Sequence, residues 1–439
     1  SWEGKPSSTA AWMAGERLHH LDWMRTLMVW LVVFAHVEMT IGPLSTAQFS
    51  ADLHPLEPAT KSPLATRWIS IVRPWCLPLL FWVSGAAVAC SFRNALRGLS
   101  KIAVFTAVGM FLNAVIWFLG PTKPSCSPLK PCPGEGILFD FTVVAHSGRI
   151  FPIVFQMWYT VILMIFTLWC WPLFKMLSVP TGGMPWGLAY LCTTCAVYIV
   201  GSFIACPNPY LVGFWLCLSE VAFVGLSALS TGDRHCGPVP LRALHYALGF
   251  LLVLQFGATP FADQIAFISL PFVFYLAVGF RQFFVLGFLM VRASLSESGS
   301  KVDPLVSRAW PLLLLLLTLT SPPTNWIRAG NLTYPYFDHS LDRCLYIAGA
   351  VVVIFALDRG SRLCKCEPLP ALIQVAGLLL YLVHPVIMAM LIQFLGNVSV
   401  GPIWLLSSAI TMLAAIPLAG LPGKRRRAVA HGRENLLER

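Results

Sequence analysis

The sequence predicts an all-α fold, a polytopic transmembrane helical bundle of about 10–12 spans. Of the 439 residues, 57% are hydrophobic and 11% are charged, whereas roughly 25% of the residues in a soluble domain are charged. Apolar runs long enough to cross about 30 Å of hydrocarbon recur along almost the whole chain. The 16 tryptophans are typical of a protein with many membrane–water boundaries, where amphipathic rings collect.

About twelve apolar runs define the predicted spans. They cover residues 21–41, 69–90, 102–119, 157–177, 187–205, 211–229, 241–255, 265–290, 310–320, 344–357, 371–395 and 403–421. The seventh, ninth and tenth runs are short, and Arg281 interrupts the eighth. The chain then divides into a cytoplasmic segment at 1–20, a transmembrane domain at 21–421 and a basic cytoplasmic tail at 422–439.

Basic residues indicate the side of the membrane on which each loop lies. Lysines and arginines cluster in the loops after the second, sixth, eighth and tenth runs, on the same side as the tail. Because such residues concentrate in cytoplasmic loops, both termini are expected in the cytoplasm. This topology signal accounts for the net charge of +11, and no nucleic-acid partner is expected.

The opposite side receives the longer loops, at 42–68 and 120–156. It also receives two glycosylation sequons, at Asn331 and Asn397. Cys126 and Cys132 flank a proline-rich stretch of the second long loop. If that loop is extracytoplasmic, the two cysteines are candidates for a disulfide.

Two ionisable residues in the first span, Arg25 and His36, are the leading functional candidates. They lie eleven residues apart, close to three helical turns, so they share one face and stand roughly 16 Å apart along the axis. Ionisable groups in an apolar segment normally face a cavity and have a function. The structural alternatives are a core histidine bonded to a backbone carbonyl, and an interfacial arginine whose stem lies along apolar surface.

The stretch LDWMRTLMVWLVVFAH resembles the first span of the acyltransferase-3 family of membrane O-acyltransferases. Its signature is Leu-Asp-x-x-Arg, with ten residues between a basic residue and a histidine, and Asp22, Arg25 and His36 match it. Weaker matches follow in the family's order: Ser84-Gly85 in 78–94, Trp158 with Tyr159 in place of Phe in 156–166, and Tyr381-Leu-x-His384 in 378–391. The family core usually has about ten spans, fewer than predicted here.

The resemblance implies transfer of an acyl group, often acetyl or succinyl, to a hydroxyl of a carbohydrate or lipid-linked glycan. A hydroxyl is a weak nucleophile, so a positioned base such as His36 must take its proton. Arg25 offers a planar fork suited to the phosphates of cytosolic acyl-CoA, and Asp22 can pair with Arg25. The expected partners are acyl-CoA, the acceptor and the lipid bilayer, with no permanently bound cofactor and no metal.

Four further residues are weaker candidates for a donor or acceptor pocket: Ser84, Trp158, Glu220 and His384. Each has a structural alternative, and Glu220 has Arg281 as a candidate ion-pair partner. The main rival function is a secondary transporter, in which His36, Glu38 and Glu220 would relay ions or protons. A third alternative is a non-enzymatic membrane scaffold, in which His36 would be replaceable.

Overall fold

The computed structural model describes residues 19–41, 63–90, 95–119, 157–178, 183–205, 209–231, 280–296, 351, 353–354, 357, 367–395 and 400–419. This part of the chain contains helices and no strand, which confirms the all-α fold class. Its helices are α1 (His19–Ile41), α2 (Pro63–Cys90), α3 (Ala95–Leu119), α4 (Trp158–Ser178), α5 (Gly183–Ala205), α6 (Pro209–Thr231), α7 (Arg281–Ser296), α8 (Ala371–Leu395) and α9 (Val400–Ala419).

The first six and last two predicted spans each coincide with a helix. Helix α7 covers the end of the eighth predicted span: it begins at Arg281, its apolar stretch extends to Val291, and the helix continues to Ser296. The predicted spans at 241–255 and 310–320 lie outside the described residues, as do Cys126, Cys132, Asn331, Asn397, the second long loop and the tail. Of the first long loop, residues 42–62 lie outside them, whereas 63–68 form the start of α2.

Among the described residues, three helices carry apolar stretches of membrane-spanning length, Tyr159–Leu177, Pro185–Phe203 and Gly401–Ala419. Each stretch has 19 residues, about 28 Å at 1.5 Å per residue. Shorter apolar helices accompany them in the described part of the chain. Large apolar side chains on the outer faces of the bundle, such as Phe111 and Leu413, are exposed, as expected where helices face lipid rather than water. The protein is therefore a membrane protein.

Helix α7 is the central element of the described bundle, since every residue from Phe280 to Val291 is buried. It crosses α2 with the two backbones in contact. A Cβ atom at Gly85 would overlap the carbonyl oxygen of Phe284, and one at Gly287 would overlap the carbonyl oxygen of Trp82. Small residues permit this close approach of membrane helices. Such helices are held together by packing rather than by the exclusion of water.

Aromatic rings fill the space between α2, α4 and α7. The Phe81 ring lies 5.0 Å from the rings of both Tyr159 and Phe280, measured between centroids. Further along, Phe174 stacks on Phe288 with centroids 3.9 Å apart. Offset and tilted pairs of this kind contribute about 0.5–1.5 kcal/mol each beyond their buried area, so they fix α4 against the crossing of α2 and α7.

Helices α1 and α8 pack side by side and run in the same direction. The Trp23 indole donates a hydrogen bond of 2.9 Å to the carbonyl of Glu367, just before α8 begins. Further along, Thr26 and Trp30 lie next to Gly377, and Val33 and Val37 share one hydrophobic cluster with Leu380 of α8 and Ile403 of α9. Helix α9 closes this layer, with the Trp404 indole donating to the Trp30 carbonyl at 3.2 Å.

The crossing predicts that Gly85→Ala and Gly287→Ala destabilise the protein. The added methyl meets backbone atoms that cannot rotate away, and overpacking of this kind costs about 1–3 kcal/mol. The control is Gly225→Ala on α6, where nothing lies within 4 Å of the new methyl and helix propensity favours alanine. Thermal unfolding in detergent should show both crossing variants melting below wild type and the control at or above it; equal melting temperatures would contradict the crossing.

Candidate functional site

The principal predicted residues, Asp22, Arg25 and His36, all lie on α1, which continues unbroken from His19 to Ile41. The helix therefore provides the register that the sequence analysis required, about three turns and roughly 16 Å between Arg25 and His36. The side chain of His36 lies outside the described part of the structure. Its place in the bundle is given by the backbone of α1.

Arg25 has a largely accessible side chain, 55% exposed, whereas that of Asp22 is 13% exposed. The two residues form an i,i+3 ion pair, with 3.4 Å between Nη2 of Arg25 and Oδ1 of Asp22. An exposed pair of this kind adds little stability, so its main effect is to restrict the guanidinium. Arg25 also interacts electrostatically with Tyr159 of α4. A restrained and accessible guanidinium is suited to binding an anion.

Ser84 and Tyr159 bring two hydroxyls together between α2 and α4. Their oxygens lie 2.6 Å apart, and both are in hydrogen-bonding range of the Leu80 carbonyl, at 2.9 Å for Ser84 and 3.1 Å for Tyr159. Because Arg25 acts on the same tyrosine, this pair belongs to the Arg25 end of the site. The sequence analysis named Ser84 but treated Tyr159 only as a replacement for Phe. The hydroxyl that tyrosine adds was the feature that could have indicated a polar contact here.

His384 lies on α8 and is fully buried. Its Nδ1 atom lies 3.0 Å from the Leu380 carbonyl and 3.1 Å from the Tyr381 carbonyl. The Tyr381 ring in turn lies 6.3 Å from that of Tyr159, in an edge-on arrangement. The structure thus connects His384 to the Ser84–Tyr159 pair through one aromatic contact.

Trp158 is the first residue of α4. Its side chain lies outside the described part of the structure, so its place in the pocket remains a prediction. No group of three or more His, Cys, Asp or Glu residues that could hold a metal ion is found within the described residues.

Glu220 lies in a polar cluster formed by residues of α5, α6 and α7. Its carboxylate forms a fully buried ion pair with Arg281, the partner that the sequence analysis had suggested. Tyr190 donates to one carboxylate oxygen at 2.8 Å, and Tyr198 donates to the other at 3.0 Å. Gln282 adds a donor at 2.8 Å to the same oxygen as Tyr198. We call these residues, together with Thr194 and Trp169, the Glu220 cluster.

Arg281 is held within the Glu220 cluster by more than its ion pair. Its Nη1 atom donates to the Thr194 hydroxyl at 3.2 Å, and the guanidinium carbon lies 4.8 Å from the centroid of the Trp169 ring, a cation–π contact. The sequence analysis missed Tyr190, Thr194 and Tyr198. Their spacing of four residues along α5 places them on one helix face, and this pattern was the available signal.

A family model described as an acyltransferase domain, that of the acyltransferase-3 family, matches residues 18–420 of the chain. The match includes the Ser84–Tyr159 pair, the Glu220 cluster and all the helices of the described bundle. No curated protein and no solved structure matches the chain.

The Glu220 cluster predicts strong destabilisation when one member of the ion pair is replaced alone. Glu220→Leu or Arg281→Met leaves an uncompensated charge in the bundle, which typically costs about 3–5 kcal/mol. The double variant removes both charges and should recover much of the loss. The melting temperature and the folded yield after detergent extraction measure this. A double variant no better than the single variants would show that the charges do not act as a pair.

Proposed function

The chain belongs to the acyltransferase-3 family and is a membrane acyltransferase, and we propose that it transfers an acyl group, acetyl or succinyl, from cytosolic acyl-CoA to a hydroxyl of a carbohydrate or lipid-linked glycan. The observation that carries the proposal is the arrangement of α1. One unbroken helix holds an accessible arginine, paired with Asp22, about three turns before a histidine.

Arg25 is the proposed anchor for the donor. Its guanidinium is accessible, and Asp22 restricts it from one side, which leaves donors for the diphosphate or the 3′-phosphate of CoA. With both termini in the cytoplasm, as the charge pattern favours, the Arg25 end of α1 faces the cytosol, where acyl-CoA is found. The Ser84–Tyr159 hydroxyls stand within the influence of Arg25. They suit hydrogen bonds to the amides of the pantetheine arm.

His36 is the proposed general base. The pantetheine arm is comparable in length to the roughly 16 Å between Arg25 and His36, so the thioester would reach the level of the imidazole. His36 takes the proton of the acceptor hydroxyl as its oxygen attacks the thioester carbonyl carbon. The new carbon–oxygen bond forms, the carbon–sulfur bond breaks, and the thiolate takes a proton to leave as free CoA.

The environment of Glu220 weighs against the rival function, a transporter that uses this carboxylate as a proton relay. The carboxylate accepts hydrogen bonds from Tyr190, Tyr198, Gln282 and Arg281. Protonation would remove the negative charge with which Arg281 pairs and would leave that buried cation uncompensated. The cluster therefore suits a structural role better than cycles of protonation.

The first test compares membranes carrying wild type with membranes carrying His36→Ala at matched expression. Both are incubated with radiolabelled acetyl-CoA, and label is followed into glycan, lipid and protein fractions. Loss of a general base lowers rates by about 10²–10⁴-fold, so transfer should fall close to background. His19→Ala, at the start of the same helix, is the matched control and should retain transfer.

Undiminished transfer by His36→Ala would overturn the role of His36 as the base. If wild type transferred no label from acetyl-, succinyl- or palmitoyl-CoA, the acyl-CoA proposal itself would fail and the transporter alternative would be preferred.

Arg25 gives a second prediction, which concerns binding of the donor. A hydrogen bond to a charged group contributes about 1.5–3 kcal/mol, so Arg25→Ala should raise KM for acetyl-CoA by about 10–100-fold. The control is the donor S-acetylpantetheine, which lacks the diphosphate and the 3′-phosphate. Wild type and Arg25→Ala should use that donor equally poorly. An equal loss by Arg25→Ala with both donors would show that Arg25 does not bind the phosphates.

A further inference from the structure

Two cysteine side chains meet between α5 and α6. The Sγ atom of Cys217 on α6 lies 3.9 Å from the carbonyl oxygen of Cys195 on α5. The Cys195 thiol in turn lies in hydrogen-bonding range of the Cys217 sulfur. Both residues are present as thiols. The structure therefore holds two reduced sulfurs in contact across a pair of helices.

The packing of α5 on α6 brings their backbones close enough for a disulfide. A Cβ atom at Gly213 would lie 3.9 Å from the Cα atom of Ile199, so with a carbon–carbon bond of about 1.5 Å the two Cα atoms are at most about 5.4 Å apart. Cys217 follows Gly213 by four residues, and Cys195 precedes Ile199 by four, so the cysteines form the next facing pair of two antiparallel helices. A disulfide spans Cα atoms about 4.4–6.8 Å apart, a separation that helices this close supply where the side chains already touch.

The two thiols lie at the edge of the described bundle. Cys195 and Cys217 are half-buried, and their neighbours Ile199 and Leu218 are exposed. These exposed side chains are apolar, as expected of a helix face that meets lipid. A reactant that reaches the thiols over this face must therefore be soluble in the bilayer.

We propose that Cys195 and Cys217 form a disulfide when the bilayer is oxidised, with lipid peroxyl radicals as the oxidant. Each of two radicals takes one hydrogen atom from a thiol and becomes a lipid hydroperoxide. Two S–H bonds break, while two O–H bonds and one S–S bond form, so the sulfurs are oxidised and the radicals are reduced. Transfer of a hydrogen atom does not need the thiolate that nucleophilic oxidation requires, and an isolated ion is costly in an apolar medium.

The disulfide would tie together the two helices that carry most of the Glu220 cluster. Cys195 follows Thr194 directly, and Cys217 precedes Glu220 by three residues. A bond between positions 22 residues apart restricts the unfolded chain and so stabilises the folded hairpin. The oxidised protein should therefore keep α5 on α6, and the ion pair with Arg281 buried, at temperatures that separate these helices in the reduced protein.

The test uses the full chain in lipid nanodiscs under two oxidising conditions. Copper–phenanthroline, which oxidises thiols that are in contact, tests the geometry of the pair. A lipid-soluble azo initiator in polyunsaturated phospholipid supplies peroxyl radicals and tests the oxidant. Remaining thiols are alkylated, and the protein is digested and analysed by mass spectrometry without reduction. Both conditions should yield a peptide linked through Cys195 and Cys217 and raise the melting temperature by a few degrees, and a phosphine reductant should reverse both changes.

Two variants distinguish this pair from general oxidation of thiols. Cys217→Ala should lose the linked peptide and the rise in melting temperature. The matched control is Cys192→Ala, which removes an exposed thiol one turn away on α5 and should retain both.

Three outcomes would overturn the proposal in different parts. Absence of the linked peptide with the copper catalyst, or a link from Cys195 to Cys192 instead, would show that the two sulfurs cannot join. Linkage with copper but not with peroxyl radicals would exclude oxidation from the lipid. Linkage without a change in melting temperature would exclude the stabilising effect. None of these measurements involves acyl transfer, so their result is independent of the proposed function.

Discussion

Backbone contact between α2 and α7 is the constraint on which the described bundle depends. Gly85 and Gly287 let the two helices approach until the carbonyls of Phe284 and Trp82 occupy the space of a side chain. In a membrane, where lipid is as apolar as the helices, such packing is a principal source of association. The contact fixes α7 against α2, in the position where Arg281 meets α5 and α6 and where the rings of α4 pack against α7.

The Glu220 cluster follows from that placement. A buried charge is costly, and the ion pair is tolerated because tyrosine, threonine and glutamine groups supply further hydrogen bonds. The arginine of α1 is in the opposite situation. Its side chain is 55% exposed, and within the described residues it pairs with the carboxylate of Asp22. Arg281 is thus part of the packing inside the bundle, whereas Arg25 is accessible to a ligand. This contrast supports assigning donor binding to Arg25 and a structural role to Arg281.

Helix α1 joins the two ends of the proposed reaction. Its Arg25 end is polar and accessible, beside Ser84 and Tyr159, whereas its His36 end packs among apolar residues of α8 and α9. A charged donor held at the first end would extend its thioester toward the second. There, exclusion of water strengthens hydrogen bonds and protects the thioester from hydrolysis.

The sequence by itself determined the all-helical membrane fold, the register of Asp22, Arg25 and His36, and Arg281 as a partner for Glu220. Composition determines the membrane fold, and the fixed rise and turn of a helix determine the register of the three residues. The scarcity of buried charges suggested the pairing of Arg281 with Glu220. Only the tertiary structure decided that Tyr159 pairs with Ser84 and that Tyr190 and Tyr198 surround Glu220. These contacts join helices far apart in the chain, and hydrophobic periodicity shows which residues face a neighbour but not which neighbour, or at what height.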